Sequence, residues 1–152
     1  MAAEIDIADL VRHGVAVIVA TRDEESRPEV GRAWGPALSE DGERLTVCVE
    51  AAPNSALARN LESGSPVAAT VARLASQTTV QLKGPVAEVS APTPDRLATV
   101  AAHVDGFVAE TAVVGVPESI ARALVGPDLL TVTIAVAERF GETPGQDAGR
   151  PL

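Results

Sequence analysis

Apolar and polar residues alternate with the two-residue period of β-strands over much of the chain. Residues 15–21 are instead a run of mostly β-branched apolar residues, which predicts a strand buried on both faces. Residues 45–49 and 129–138 place apolar side chains at every second position, as expected for a strand with one face on a core. The complete pattern predicts six strands, over residues 15–21, 28–38, 45–49, 66–71, 78–89 and 129–138.

Other stretches repeat their apolar residues every three or four positions, which predicts helices over about residues 5–11, 54–63, 92–108 and 117–124. Asn54 or Ser55 can cap the second of these helices, and Gly64 ends it. Asp41 and Gly42 predict a hairpin turn between two strands. The pair at 84–85, Gly followed by Pro, predicts a bulge or a sharp bend inside the fifth strand.

The order of these elements is helix, three strands, helix, two strands, two helices and strand. This order predicts an α+β protein with a mostly antiparallel sheet, and closure into a barrel would remove the exposed edges of that sheet. The 152 residues suit one domain. We therefore predict one six-stranded barrel domain with flanking helices over residues 1–139. A Gly/Pro-rich tail follows over residues 140–152, either free or laid on a partner.

Composition narrows the possible partners and the cellular location. Apolar residues make up 46% of the chain but aromatic residues only 2%, so the core must consist of Val, Ala, Leu and Ile. The net charge of −9 argues against binding to nucleic acid or to an anionic membrane surface. The single cysteine, Cys48, precludes an internal disulfide and is predicted to be buried in a strand. The acidic start and the short apolar runs indicate a cytoplasmic protein without a membrane span.

The sequence contains no recognisable catalytic motif and no metal-binding motif. It lacks a nucleophile elbow, a phosphate-binding loop and a dinucleotide fingerprint. Its two histidines, His13 and His103, lie ninety positions apart. We interpret His13 as a residue at a helix C-terminus, or on the surface, and His103 as an ordinary surface or interface residue. The residues by themselves therefore name no reaction.

Several short motifs occur in an order that resembles the pyridoxamine 5′-phosphate oxidase-like, FMN-binding split-barrel family. The resemblance covers roughly residues 10–90 and the last twenty residues. The motifs are Arg32-Ala33-Trp34-Gly35 in a strand, Asn54-Ser55 and Arg59-Asn60-Leu61 around a helix, Val80-Gln81-Leu82-Lys83-Gly84 in a later strand, and a Thr-Pro-Gly-containing tail at 143–149.

The resemblance implies a six-stranded split β-barrel that forms a homodimer, with the cofactor FMN at the interface. It also implies an oxidoreductase that acts on a small-molecule substrate. The implied cofactor-binding residues are Arg32, Ala33, Trp34 and Gly35 along the ring or ribityl chain, Asn54, Ser55, Arg59 and Asn60 near the phosphate, and Thr78, Thr79 and Gln81 on the opposite strand. The catalytic residues stay unassigned, because in such a site the flavin supplies the redox chemistry.

Two departures from the family pattern leave alternatives open. Ala56 and Leu57 follow Ser55 where many members have a basic residue, and Thr78 and Thr79 stand where many have Arg and Gln. One alternative is a non-catalytic binding or sensor module, for haem or a small metabolite, that has lost its flavin. Another is a deazaflavin-dependent relative. Oxidation of pyridoxamine phosphate itself is not expected, because the tail offers few basic residues for a second phosphate.

Overall fold

The computed structural model describes residues 4–152, so the first three residues of the predicted domain lie outside it. The elements in chain order are α1 (Ile7–Leu10), β1 (Ala16–Arg22), β2 (Pro28–Leu38), β3 (Arg44–Glu50), α2 (Ala56–Glu62), β4 (Pro66–Ala72), β5 (Thr79–Ser90), α3 (Pro94–Val113), α4 (Glu118–Ala123), β6 (Leu129–Ala135), β7 (Glu138–Gly141) and β8 (Arg150–Pro151). The predicted fold class, α+β with a six-stranded antiparallel barrel, is confirmed.

Six strands form the barrel in the order β4, β1, β2, β3, β6, β5, and the pairing of β4 with β5 closes it. Strand β5 uses one of its edges twice: its first half pairs with β7, and its second half pairs with β6. The exchange occurs beside Gly84, where a Cβ would lie 1.7 Å from the Ala135 carbonyl oxygen. The predicted irregularity therefore has a cause, because β5 must let the chain between β6 and β7 approach its backbone.

Aliphatic side chains fill the barrel, and a short helix covers each end. Val17, Val19 and Leu45 are at most 1% exposed. From α1, Leu10 and Val11 join this core, and so do Leu57, Ala58 and Leu61 from α2. A core built from such small side chains agrees with the low aromatic content.

A second apolar cluster lies outside the barrel, where α3 packs across β2. It contains Trp34 and Phe107, whose rings meet edge to face with centroids 5.2 Å apart. Cys48 belongs to the same cluster and is fully buried, in agreement with its predicted strand setting. Helix α3 approaches the start of β1 closely at Gly14, where a Cβ would lie 2.0 Å from the Gly106 carbonyl carbon.

The predicted strand over residues 129–138 is divided in the structure into β6 and the first residue of β7. Between the two strands, the Val136 N–H donates to the Glu43 carbonyl at 2.8 Å, and the Ala137 N–H donates to the Lys83 carbonyl at 2.8 Å. These two bonds turn the chain from one neighbouring strand to another. The alternation of side chains continues through the turn, which is why the periodicity alone predicts a single strand.

The Gly/Pro-rich C-terminal residues fold back onto their own chain. The Gly149 N–H donates to the Gly141 carbonyl at 2.7 Å, and the Leu152 N–H donates to the Arg139 carbonyl at 2.9 Å. These bonds add β8 to the edge of β7. Within residues 4–152, no helix combines the length and the apolar character that crossing a membrane requires.

Candidate functional site

A row of four side chains runs across the outside of the barrel from β2 to β5. Arg32 pairs with Ile18, Ile18 with Thr70, and Thr70 with Gln81. Residues directly opposite each other on neighbouring antiparallel strands point to the same side of the sheet. These four residues are called the outer row below.

A second row of side chains lies beside the outer row on the same surface. Val30 pairs with Ala20, Ala20 with Ala68, and Ala68 with Lys83. Val30 is 59% exposed, and Ile18 in the outer row is 37% exposed. The two rows together, called the open face below, form an apolar strip with a cation at each side.

Among the predicted cofactor-binding residues, Arg32 is the one whose side chain is most available to bind a ligand. Its side chain is half-buried, and it forms no hydrogen bond or ion pair with any residue in the range 4–152. On the same row, Gln81 Nε2 donates to Thr70 Oγ1 at 3.0 Å, which leaves the Gln81 amide oxygen for another donor. Arg32 and Gln81, predicted from distant parts of the sequence, thus belong to one surface.

The three residues that follow Arg32 are covered. Ala33 faces the barrel core and Trp34 lies beneath α3, each 1% exposed. Gly35 is buried with a φ of +62°, at a register shift between β2 and β3. A Cβ at Gly35 would lie 3.1 Å from Val100 Cγ2 of α3. Of the motif at residues 32–35, only the Arg32 side chain therefore reaches the open face.

The residues predicted around the start of α2 hydrogen-bond within the protein. Ser55 Oγ accepts from the Ala58 N–H at 3.1 Å and caps the helix. Arg59 Nη1 donates to the Asn54 carbonyl. Asn60 is buried, and its side-chain amide donates to Thr21 Oγ1 at 3.1 Å. Each of these polar groups has a structural partner, and only Arg59 and Asn54 have exposed side chains.

The start of α2 packs closely on β2 at Gly31. A Cβ at Gly31 would lie 2.4 Å from Leu57 Cδ2 and 2.9 Å from the Glu50 carbonyl oxygen. Gly31 therefore lets the first turn of α2 and the end of β3 approach β2 one residue before Arg32. Gly31 pairs with the buried Val19, so this contact with α2 lies on the barrel side of β2, whereas Arg32 points to the opposite side.

Thr78 and Thr79 lie at the opposite end of the open face, where β4 turns into β5. The Thr79 N–H donates to Thr143 Oγ1 of the C-terminal segment at 3.0 Å, and Thr78 Oγ1 lies 2.9 Å from Ser76 Oγ. Thr78 also lines a cavity of about 530 Å³ between α1, the β4–β5 turn and the C-terminal segment, with Leu10 and His13 among the other residues. The structure therefore divides the predicted residues into a central group and two end groups.

The sequence prediction missed Glu50. Its Oε1 accepts the Trp34 Nε1–H at 2.6 Å and the Gly126 N–H at 2.7 Å. These bonds join β2, β3 and the loop before β6 at the edge of the open face. Only the register of β2 against β3 could have indicated this contact, and that register depends on a bulge that periodicity does not reveal.

The prediction of His103 as an ordinary surface residue is wrong, and its alternative, an interface residue, stays a prediction. Its ring is half-buried, its Nδ1 accepts the Gly35 N–H at 3.1 Å, and its Nε2 lies 2.9 Å from the Val15 carbonyl oxygen. Because a carbonyl cannot donate, Nε2 carries the proton and the ring is neutral. Burial lowers the pKa of His103 below 6.5, although the bond to Val15 acts in the opposite direction. His13 lies near Asp9 at the end of α1, with 3.4 Å between Nε2 and Oδ2.

Solved structures with the same architecture include three informative cases. A putative pyridoxamine 5′-phosphate oxidase from Lactobacillus delbrueckii is 19% identical, over 90% of this chain and 92% of its own, with a TM-score of 0.54. An F420 reductase is 16% identical, over 90% of this chain and 98% of its own, with a TM-score of 0.61. A pyridoxamine 5′-phosphate oxidase-related, FMN binding protein from Nostoc punctiforme is 12% identical, over 93% of this chain and 84% of its own, with a TM-score of 0.51.

No protein-family model and no curated protein sequence matches the chain. The likeness to known proteins therefore rests on the order of the elements and the closure of the barrel, both of which the structure contains. The resemblance inferred from the sequence motifs is confirmed at the level of the fold. The chain has the split-barrel fold of the pyridoxamine 5′-phosphate oxidase-like, FMN-binding and F420 reductase proteins.

Proposed function

We propose that this protein binds FMN, or a related deazaflavin, on the open face and acts as a cytoplasmic oxidoreductase on a small-molecule substrate. The observation that supports this proposal most directly is Arg32, a half-buried cation with no protein partner in the described chain. An unpaired guanidinium beside apolar side chains suits a ligand that combines a phosphate with a planar ring. The names of the split-barrel neighbours, FMN binding protein and F420 reductase, agree with such a ligand.

The residues present fit the two chemical parts of a flavin differently. For the ring, Ile18 and Val30 offer exposed apolar surface, and the Gln81 amide oxygen can accept a hydrogen bond. For the phosphate, Arg32 is available, and the exposed Arg59 keeps further N–H donors besides the one that bonds the Asn54 carbonyl. When bound, a flavin would accept and donate hydride, and the chain's residues would bind and orient it.

The same surface also supports the proposal of a homodimer. A ring lying on Ile18 and Val30 would have its other side in water unless a second copy covered it. The exposed apolar side chains also gain burial in such a dimer, at about 25 cal/mol per Å². We therefore propose that the open faces of two copies meet and hold the cofactor between them.

A second candidate is a binding module without flavin, for a small metabolite. The engagement of Ser55 in capping α2 favours it, because this hydroxyl is then not available to a phosphate. The cavity of about 530 Å³ beside α1 has a volume typical of small-molecule sites. Haem is less well supported, because His103 uses both ring nitrogens and would have to give up one bond to reach iron.

The test is a titration with FMN and, separately, with the deazaflavin, following the flavin absorption bands. We expect saturable binding to the wild-type protein. Arg32→Ala should weaken it by about 10- to 150-fold, because a charge-assisted hydrogen bond contributes roughly 1.5–3 kcal/mol. Arg44→Ala is the matched control: Arg44 is exposed on β3 and lies away from the open face, so its loss should leave affinity unchanged.

Absence of binding to either cofactor would contradict the proposal and favour the metabolite-binding module. Equal losses in Arg32→Ala and Arg44→Ala would mean that binding depends on overall charge and not on the open face.

A further inference from the structure

Arg32 and Glu50 occupy facing positions on β2 and β3 but do not pair. Ala33 is opposite Val49, and Trp34 is opposite Cys48. Continued by one residue beyond these pairs, the register brings Arg32 opposite Glu50. Side chains at facing positions have Cβ atoms about 4.5–5.5 Å apart, a distance at which opposite charges readily meet. Among residues 4–152, however, Arg32 forms no ion pair with any acid.

The carboxylate of Glu50 is held by two other groups. Its Oε1 accepts the Trp34 indole N–H at 2.6 Å and the Gly126 backbone N–H at 2.7 Å. Trp34 is fixed in turn, because it is 1% exposed and packs edge to face on Phe107. Two short bonds from rigid donors therefore keep Glu50 directed along the sheet towards Trp34.

We propose that Trp34 is a positioning residue that holds Glu50 away from Arg32 and so keeps the Arg32 guanidinium available to an anionic ligand. If the indole donor were removed, the Glu50 side chain could turn to its facing neighbour and pair with it. The charge of Arg32 would then be neutralised by Glu50 of the same chain. An incoming phosphate would have to compete with this covalently tethered carboxylate. The identity of the ligand as FMN rests on the proposed function, whereas the arrangement of the three side chains does not.

The test is a mutant cycle of Trp34→Phe, Glu50→Gln and the double variant, with FMN as the probe. Trp34→Phe keeps an aromatic side chain but removes the indole N–H donor. It should weaken FMN binding by about three- to tenfold, less than Arg32→Ala does. Glu50→Gln keeps an acceptor for Trp34 and Gly126 but loses the charge, and should bind as tightly as the wild type or more so. The double variant should recover the affinity of Glu50→Gln, although it shares the packing change of Trp34→Phe.

A second readout does not depend on any ligand. The NMR signal of the Arg32 Nε–H should be nearly the same in the wild type and in Glu50→Gln, and should shift further in Trp34→Phe than in the double variant, which shares the loss of the indole but has no Glu50 charge. A shift on going from the wild type to Glu50→Gln would show that Arg32 and Glu50 are already paired and would overturn the inference, even if Trp34→Phe failed to fold.

The remaining outcomes are also decisive. A double variant as weak as Trp34→Phe would assign the loss to packing and contradict the positioning role, as would an unchanged affinity in Trp34→Phe. If the wild-type protein bound neither FMN nor the deazaflavin, the proposed function would fail, and the NMR comparison would still decide whether Trp34 separates the two charges.

Discussion

His103 shows how a single side chain can connect three elements. It lies on α3, accepts a hydrogen bond from Gly35 of β2 and donates one to Val15 before β1. Arg96, about two turns earlier on α3, donates to the Gly35 carbonyl. The N–H and the carbonyl of Gly35 thus both hydrogen-bond to side chains of α3, and these bonds fix the bulge in β2 from the helix. Protonation of His103 would place a hydrogen on Nδ1, and the Gly35 N–H would then lose its acceptor.

We expect His103 to make stability depend on pH, with the following sign. The pKa of His103 in the folded protein lies below 6.5, so the unfolded chain takes up a proton first as the pH falls. The neutral ring makes its full contribution to the free energy of unfolding above about pH 6.5. This contribution is lost as the pH falls towards the folded-state pKa. The check is the free energy of unfolding in urea over a pH series. His103→Asn should lack this part of the slope while its Oδ1 still accepts from Gly35.

A pH dependence that is identical in the wild type and in His103→Asn would contradict this account. The comparison between the two proteins cancels the contribution of the carboxylates, which also bind protons in that range.

Prediction from sequence succeeds for residues whose role depends on near neighbours and fails for the others. Ser55 caps α2 and Cys48 is buried, as local patterns indicate. The partners of His103 lie 68 and 88 positions away, and Glu50 reaches a loop 76 positions further on. No short-range pattern encodes such contacts. The same limit explains why Trp34 and Gly35, part of a motif in an extended segment, turn out to lie beneath α3.

At the scale of elements, α3 lies in close contact with the chain entering β1. The absence of side chains at Gly14 and Gly106 allows it, but the two glycines are not equivalent. A Cβ at Gly14 would lie 2.0 Å from the Gly106 carbonyl carbon, whereas a Cβ at Gly106 would lie 3.3 Å from Gly14 Cα. A clash between a Cβ and backbone atoms at this distance cannot be relieved by a change of side-chain rotamer.

We therefore expect Gly14→Ala to lower the free energy of unfolding by about 3 kcal/mol or more, because α3 must move off the barrel. Gly106→Ala should change it by less than about 1 kcal/mol, because the gain in helix propensity offsets a tight contact. Chemical denaturation of the two variants beside the wild type measures both effects. Equal effects would mean that α3 is not held at this distance.

Element types were predicted more accurately than element boundaries. The strands and helices follow the apolar periodicity, but α3 extends to Val113, five residues beyond the predicted end. The division between β6 and β7 depends on the chain's approach to Gly84, which only the closed barrel produces. Periodicity reports which face of an element is buried, and it does not report which neighbour buries it.

At the scale of the whole molecule, the open face should determine the oligomeric state. Val30 is 59% exposed on this face, and in a symmetric dimer each copy would contribute the same residue to the contact. Val30→Glu would place two carboxylates in that contact and should weaken the dimer by about a hundredfold or more. Light scattering after size-exclusion chromatography measures the effect as a shift from dimer to monomer.

The matched control is Val113→Glu at the end of α3, where the side chain is 73% exposed and belongs to neither row of the open face. It should leave the dimer intact. If Val113→Glu dissociated the dimer and Val30→Glu did not, the interface would lie on the helical side of the molecule.

Trp34 gives the protein an internal optical reporter. The chain has one tryptophan and no tyrosine, so its near-ultraviolet fluorescence comes almost entirely from one buried indole. This indole touches Phe107, lies near His103 and donates to Glu50, and it therefore senses α3, the bulge and the edge of the open face together. A bound flavin absorbs where indole emits. Loss of this emission on adding cofactor would thus report binding on the unlabelled protein at low concentration.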